Sequence, residues 1–455
     1  MAEVHHPYPH DIPALPAATI PVTNCDDSGA GSLRDAIAQA ADGDTIDLTQ
    51  LTCGTITLTS GALTVAQDSL SLAGPGAGRL SISGNDLQPV FLHSGNGTFS
   101  IADVDIAHGL NRQSTAFGGC IYSHAHAALT RVAVHDCLAD GVGDSLPTAR
   151  GGGVFAMAGV DAIDARIYAN ATSAEPGSGS PDDGGGGIAG GTLVLIASYI
   201  GGNHASACGG VGAGYGLRMR DTTVAGNSAF GTGGVCALGM QSDAGAIDIE
   251  SSAIIDNTSN VVGGLWLYSA PPPAPPMRLV NSTVSGNLGT AFVGSYGGIY
   301  TRYGVLEIVN STIAFNSVES GEPAGLIAIR DEVHLQSSII ANNTSLAGSA
   351  YPYFNDLDGP SATFIGASNL VTYSRITLPA DTIIADPMLL PLAFNGGRMK
   401  THALSPASPA VDHGNNAASL PWDQRGAGYP REVGPADIGA FELDADHIFA
   451  GAFDE

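Results

Sequence analysis

GGVGAGYGLRMRDTTVAGN, Gly209–Asn227, is the stretch on which the fold turns. A Gly-Gly pair opens it, a short apolar run follows, then a polar residue with Thr-Thr-Val, and an Asn closes it. The pair returns at Gly118, Gly152, Gly186, Gly233, Gly263 and Gly297, and as Ala324-Gly325. The closing Asn returns at Asn170, Asn203, Asn257, Asn287, Asn316 and Asn342. A recurrence every 23 to 34 residues or so marks stacked supersecondary units. The sub-segments are short, β-branched and broken by Gly and Asn, so each unit is a coil of strands and not a helix pair. The expected fold is all-β: a right-handed, single-stranded parallel β-helix.

Composition supports this and narrows the partners. A chain of 455 residues can be one domain when it grows by adding coils. With 62 Gly, 26 Pro and a single Lys, Lys400, helical repeats are disfavoured. A net charge of −27 argues against nucleic acid, whose phosphates need a basic footprint. The same charge opposes unaided binding of a polyanionic glycan, although a bound cation reverses the local sign. No apolar run is long enough to span a membrane.

Residues 1–21 are rich in His and Pro, lack the features of a signal peptide, and read as a disordered tail. Six cysteines without CxxC spacing point to an oxidised framework, hence to an exported chain in its mature form. Cys25 and Cys53 are the preferred pair. Cys120 with Cys137 and Cys208 with Cys236 are further pairs, equally readable as buried thiols.

A cap is expected over 22–43, where Ser32–Ala41 forms a helix. Ser32 caps it with Asp35 three residues on, and Leu33, Ala36, Ile37 and Ala40 make one apolar stripe. Its task is to cover the open end of the stack. The β-helix then runs over 44–370, at first as period-two pairs such as Ile46 and Leu48 or Val104 and Ile106. Residues 371–443 form a C-terminal cap or anchor-type region, and 444–455 a tail. Aligning the regular coils on the closing Asn stacks Ser198, Thr222, Ser252, Ser282, Ser311 and Ser337 in one column. Asp221, Asn281 and Asn310 share the column before it. Such columns fix register between coils about 4.8 Å apart. The closing Asn residues are expected to take a left-handed backbone at a tight turn. Insertions at Ala139–Arg150, Thr172–Gly184, Ser317–Pro323 and Thr344–Pro360 should wall one side.

The chain resembles a group of bacterial secreted right-handed parallel β-helix proteins with a choice-of-anchor type C-terminal region. The likeness lies in CDDSGAGSLRDAIAQAADGDTIDL (Cys25–Leu48), in the GG…NST…N repeats, and in DPMLLPLAFNGGRMKTHALSPASPAVDHG (Asp386–Gly414) with the later DQRG and DIGAFE. It covers nearly all of the chain after Pro21. It implies export and an extracellular or outer-surface location, but no single activity.

The outward positions of the Gly-Gly strands are where such a coil presents a groove. Counting from each pair stacks Trp266, Tyr268, Tyr300, Arg302 and Tyr303, with Arg330, Asp331 and His334 one coil on. Aromatic rings beside Arg suit an extended polysaccharide, with Trp266, Tyr268 and Tyr300 binding it. For a lyase, Arg302, Tyr303, Arg330 and His334 would supply base and acid, and Asp182 with Asp183 would hold a neutralising cation such as calcium. A hydrolase would need paired carboxylates, and Asp331-Glu332 is the nearest match, weakened because strand neighbours face opposite ways. His124 and His126 share a face but lack a third metal ligand. Asp423, Arg425, Arg431 and Asp437 read as an ion-pair network. The expectation is therefore a monomeric, exported β-helix protein that binds and depolymerises a polysaccharide. The alternative is an adhesin, or a stalk without catalysis.

Overall fold

The computed structural model describes residues 17–143, 147–174, 184–239, 245–269, 275–291, 293–346, 353–359 and 361–444. They form a parallel β-solenoid of about eleven turns. Each regular coil carries a long strand, a three-residue strand and a two-residue strand, which stack into a long, a middle and a short sheet. In the coil of Gly209–Asn227 these are Val211–Arg220, Thr223–Ala225 and Ser228–Ala229. The next coil pairs with them in parallel as Val211↔Val235, Thr223↔Ala253 and Ser228↔Thr258. Inward positions such as Val211, Leu217, Val224, Leu265 and Leu279 are fully buried in one continuous core. Each such side chain contributes about 1.5–3 kcal/mol relative to exposure.

Two polar ladders run through the corners. At the first, Ser198, Thr222, Ser252, Ser282 and Ser311 each accept the backbone N–H of the preceding member or coil, and each hydroxyl donates to a carbonyl two residues back. At the second, Asn170, Asn203, Asn227, Asn257, Asn287 and Asn316 form a buried amide stack, in which Asn170 Oδ1 accepts the Cys137 N–H and each later Oδ1 accepts two donors from the coil before.

The sequence reading needs two corrections here. The left-handed backbone lies one residue ahead of each ladder member. It falls at Ala197, Asp221, Ser251, Asn281 and Asn310 before the hydroxyl ladder, and at Ala169, Asp256 and Phe315 before the amide ladder. The six Asn side chains of that stack serve as ladder rungs instead. The last coil is also shifted by one residue, because Ser338 and Asn343 enter the ladders while Ser337 and Asn342 take the left-handed positions. In that coil Ser-Ser and Asn-Asn offer both registers.

The chain joins the stack earlier than expected, since Thr19–Pro21 pairs in parallel with Thr45–Asp47. The helix spans Leu33–Gln39 and buries Leu33, Ala36 and Ile37 on the first coils. Ser32 accepts the Asp35 N–H, and the Asp35 carboxylate accepts the N–H of Gly31. Gln67 from the next coil donates to the Ile37 and Ala40 carbonyls, closing the helix. All six cysteines are bridged, as Cys25–Cys53, Cys120–Cys137 and Cys208–Cys236. The thiol alternative for the last two pairs is thereby removed.

The C-terminal region folds back along the outer face of the middle sheet. Gln424 bonds Thr283 and the Ser252 carbonyl, His402 bonds Ser285, Asn310 donates to the Asn415 carbonyl, and Ala440 donates to Thr312. This explains why the short strands Ala253–Ile255, Thr283–Ser285, Thr312–Ala314 and Ile339–Ala341 are buried at all three positions. Of the expected ion-pair network Asp423 and Arg425 form a pair, whereas Arg431 pairs with Glu442 and the Asp437 carboxylate instead accepts the N–H groups of Asp412 and Leu443. Arg425 pairs with Asp423 at 2.7 Å between the rings of Tyr429 and Phe441. Arg431 meets Glu442 at 3.1 Å and the carbonyls of Asp437 and Gly439.

Burial raises the carboxyls of Asp356 to about 6 and of Asp331 and Glu442 to about 7. A carboxyl with a raised folded-state pKa holds its proton more tightly in the native chain. Its stabilisation is therefore complete below the unfolded value near 4 and is lost as pH rises toward 7. The melting temperature should be higher at pH 5 than at pH 8, by on the order of 5 °C. Scanning calorimetry across that range checks it, and a flat or rising profile from pH 5 to 8 would contradict it. Below about pH 4 the trend reverses, because the guanidinium of Arg34 and the hydroxyls of Ser60 and Thr59 hold Asp27 ionised in the folded state against its partial burial.

Candidate functional site

The long strands Ile299–Val309 and Leu326–Gln336 each run through two segments separated by a corner. At that corner Tyr303 and Arg330 face each other across the stack, both with φ of 61°. In the two coils before, the corresponding segments are separate strands, Val235–Gly239 and Ile247–Glu250, then Leu265–Ser269 and Met277–Val280. A left-handed conformation at a Tyr and an Arg is uncommon and is sustained by its surroundings. The Asp331 carboxylate accepts the N–H of Ile329 at 2.9 Å, bridging the bend at Arg330.

On the first segment, outward residues stack in the columns Cys236, Trp266, Tyr300, Ile327 and Leu238, Tyr268, Arg302, Ile329. Trp266 and Tyr300 meet edge to face at 6.0 Å, and Tyr296 lies 4.9 Å from Tyr300. Tyr268 meets Tyr303 edge to face at 5.6 Å. The Tyr303 hydroxyl accepts from Arg302 at 3.2 Å and from Arg330 at 3.0 Å. The Arg302 guanidinium also lies over the Tyr303 ring at 4.9 Å. The hydrogen bond from Arg302, with the charges of Arg302 and Arg330, holds the Tyr303 phenol below its ordinary value against an opposing desolvation. Tyr296 goes the other way, pushed up to about 12 by burial. The rings are half-buried, and the indole Nε1 of Trp266 and the Nε of Arg302 have no hydrogen-bond partner among the described residues.

Six of the expected residues thus form one cluster: Trp266, Tyr268, Tyr300, Arg302, Tyr303 and Arg330. His334 does not join it. It sits past the corner, bonded to Glu332 at 2.6 Å and in register with Glu307. That segment carries a ladder of alternating charge in which Arg278 pairs with both Asp248 and Glu307. Asp331 and Glu332 do face opposite ways, one 5% exposed and the other open to solvent. This argues against a glycosidase pair. His126 is paired with Asp161 at 3.4 Å. Asp182 and Asp183 lie outside the described residues.

Comparison of the chain with protein-family models, with curated proteins and with solved structures found no match.

The sequence reading missed a trough that continues the cluster toward earlier coils. It has a volume near 340 Å³ and a floor of Gly190, Gly191, Gly212 and Gly214. Its walls are Phe155, Met157, Tyr215 and Leu238, with the Cys208–Cys236 bridge on the same surface. The signal lay in the same columns that located Trp266, where Gly and Ala replace the rings and leave a depression between aromatic ends.

Proposed function

We propose that the long-sheet face binds an extended uronate-containing polysaccharide and cleaves it by β-elimination, outside the cell. What carries the reading is the Tyr303 hydroxyl held between two guanidiniums beside the rings of Trp266, Tyr268 and Tyr300. A phenol held below its ordinary value is a competent base for the proton next to a carboxylate, and the same two cations neutralise that carboxylate. The carbon–hydrogen electrons form the new C4–C5 double bond, and the C4–O bond breaks. With His334 engaged by Glu332, the phenol itself returns the proton to the leaving oxygen. Three disulfides fit an oxidising compartment.

The test is a panel of polyuronates followed by ultraviolet absorbance of unsaturated ends, with and without added calcium. Tyr303→Phe should lower turnover about 100-fold or more while binding is retained. Trp266→Ala should weaken binding with little change in melting temperature. In the wild type, the rate should rise with pH to an inflection below about 10, the ordinary tyrosine value. A protein that binds these polymers without cleaving them would be an adhesin, and Tyr303→Phe would then be silent.

A further inference from the structure

A second hollow lies on a different face. It sits between the outer surface of the middle sheet and the C-terminal hairpin formed by Ala393–Phe394 and Lys400–Thr401. Two adjoining volumes, near 640 and 480 Å³, share Tyr199, Gly202, Thr223 and Arg398, so they form one cleft. Met399 pins the hairpin by packing on Ala253 and Ile255, and Arg398 reaches across to Asp164 at 3.3 Å.

Three rings line this cleft: Tyr168, Tyr199 and Phe394. Tyr199 lies flat across the backbone of Gly201, so close that a Cβ there would stand 2.3 Å from its hydroxyl. Tyr168 is backed by His135, stacked at 4.9 Å, with the Arg166 guanidinium 5.5 Å from its ring centre. The charges are balanced: Asp164, Asp221 and Asp256 face Arg166, Arg398 and Lys400.

We infer that this cleft binds a short, uncharged oligosaccharide, at a site separate from the Tyr303 face. The argument is by the chemistry of the lining. An anion would meet three carboxylates and a cation three basic groups, whereas a neutral hydroxyl-rich ring finds both donors and acceptors. Flat aromatic rings supply the apolar surface on which the carbon–hydrogen face of a sugar stacks. An extended peptide has no main-chain anchor here, since Arg166–Tyr168, Tyr199–Gly201 and Thr223–Ala225 are each paired on both sides. The size is that of an ordinary ligand pocket.

The experiment is titration calorimetry of the full chain with cellohexaose, maltohexaose, xylohexaose and laminarihexaose. At least one should bind. Tyr199→Ala should weaken it about tenfold or more. Gly201→Ala should do the same by lifting the ring off the backbone, since the obstructing atoms are the far end of the Tyr199 side chain. Trp266→Ala and Tyr303→Phe should leave it unchanged. Binding of no hexaose, or binding lost with Trp266→Ala but kept with Tyr199→Ala, would overturn the inference. Neither result bears on uronate cleavage, which is read separately.

Discussion

Arg431→Met should destabilise the C-terminal region by about 3–5 kcal/mol, the range for breaking a buried ion pair from one side. Arg431 is the largest fully buried side chain among the described residues, 1% exposed, and donates to Glu442 and to the carbonyls of Gly439 and Asp437. Methionine keeps much of the volume but leaves Glu442 as an unpaired carboxylate. Glu442 also accepts the N–H groups of Val433 and Asp437, so it cannot turn away without releasing them. Its raised value, about 7, sets the pH dependence of the defect. Arg431 is one of the groups that hold this value down, so in the variant Glu442 takes a proton more readily still, and the loss should be smaller at pH 5 than at pH 8. Adding Glu442→Gln should recover part of the loss, because the orphaned charge is removed with its partner. Hydrogen exchange should place the opening at 386–444 and along the middle sheet under it. An equal loss at both pH values, with no recovery in the double variant, would mean that packing and not charge holds Arg431.

The coil was legible because its determinants are local and repeat. Period-two pairs such as Ile46 with Leu48 place the core, and Ser or Thr five residues before a closing Asn marks two corners at once. Where a coil offers Ser337-Ser338 and Asn342-Asn343, the pattern is satisfied twice, and only stacking on Ser311 and Asn316 selects the second of each. The docking of the C-terminal region left a fainter trace. Outward residues of the three-residue strands change from Arg166 and Tyr168 to Ala253, Ile255, Ala314 and Ile339. That is a change of surface character without any period of its own. For the candidate site, counting from the Gly-Gly pair found the six clustered residues because they share one straight segment or its corner. His334 lies beyond the left-handed turn at Arg330, where parity along the strand no longer describes which surface a side chain meets. The oligosaccharide cleft joins residues more than two hundred positions apart, Asp164 and Arg398, and nothing local in either announces the other.

Asn287→Ala, in the middle of the amide stack, should cost about 3–5 kcal/mol, as expected when several buried polar groups lose their partners together. Asn287 Oδ1 accepts the backbone N–H and the Nδ2 of Asn257 at 3.1 and 2.9 Å. Its Nδ2 donates to the Ile254 carbonyl and to Asn316 Oδ1, both at 2.9 Å. The variant strips all four and leaves a hole that the flanking Gly pairs cannot fill. Asn287→Asp should be no milder at neutral pH, although it is nearly isosteric. A carboxylate can accept from Asn257 but turns an acceptor oxygen toward the Ile254 carbonyl and Asn316 Oδ1, which both need a donor. Its defect should ease on acidification, when one oxygen regains a proton to donate, whereas the alanine defect should not. Denaturant titrations of both variants at pH 5 and 7.5 separate these outcomes, and identical pH responses would refute the argument. The chain itself places an acid where this logic allows one. The stack ends on Asp356, whose Oδ1 takes both donors of Asn343 and whose Oδ2 takes the N–H of Tyr373. At that terminal position every neighbour donates and none needs a donor in return. An acceptor-only side chain closes the ladder there, and one coil earlier it would break it.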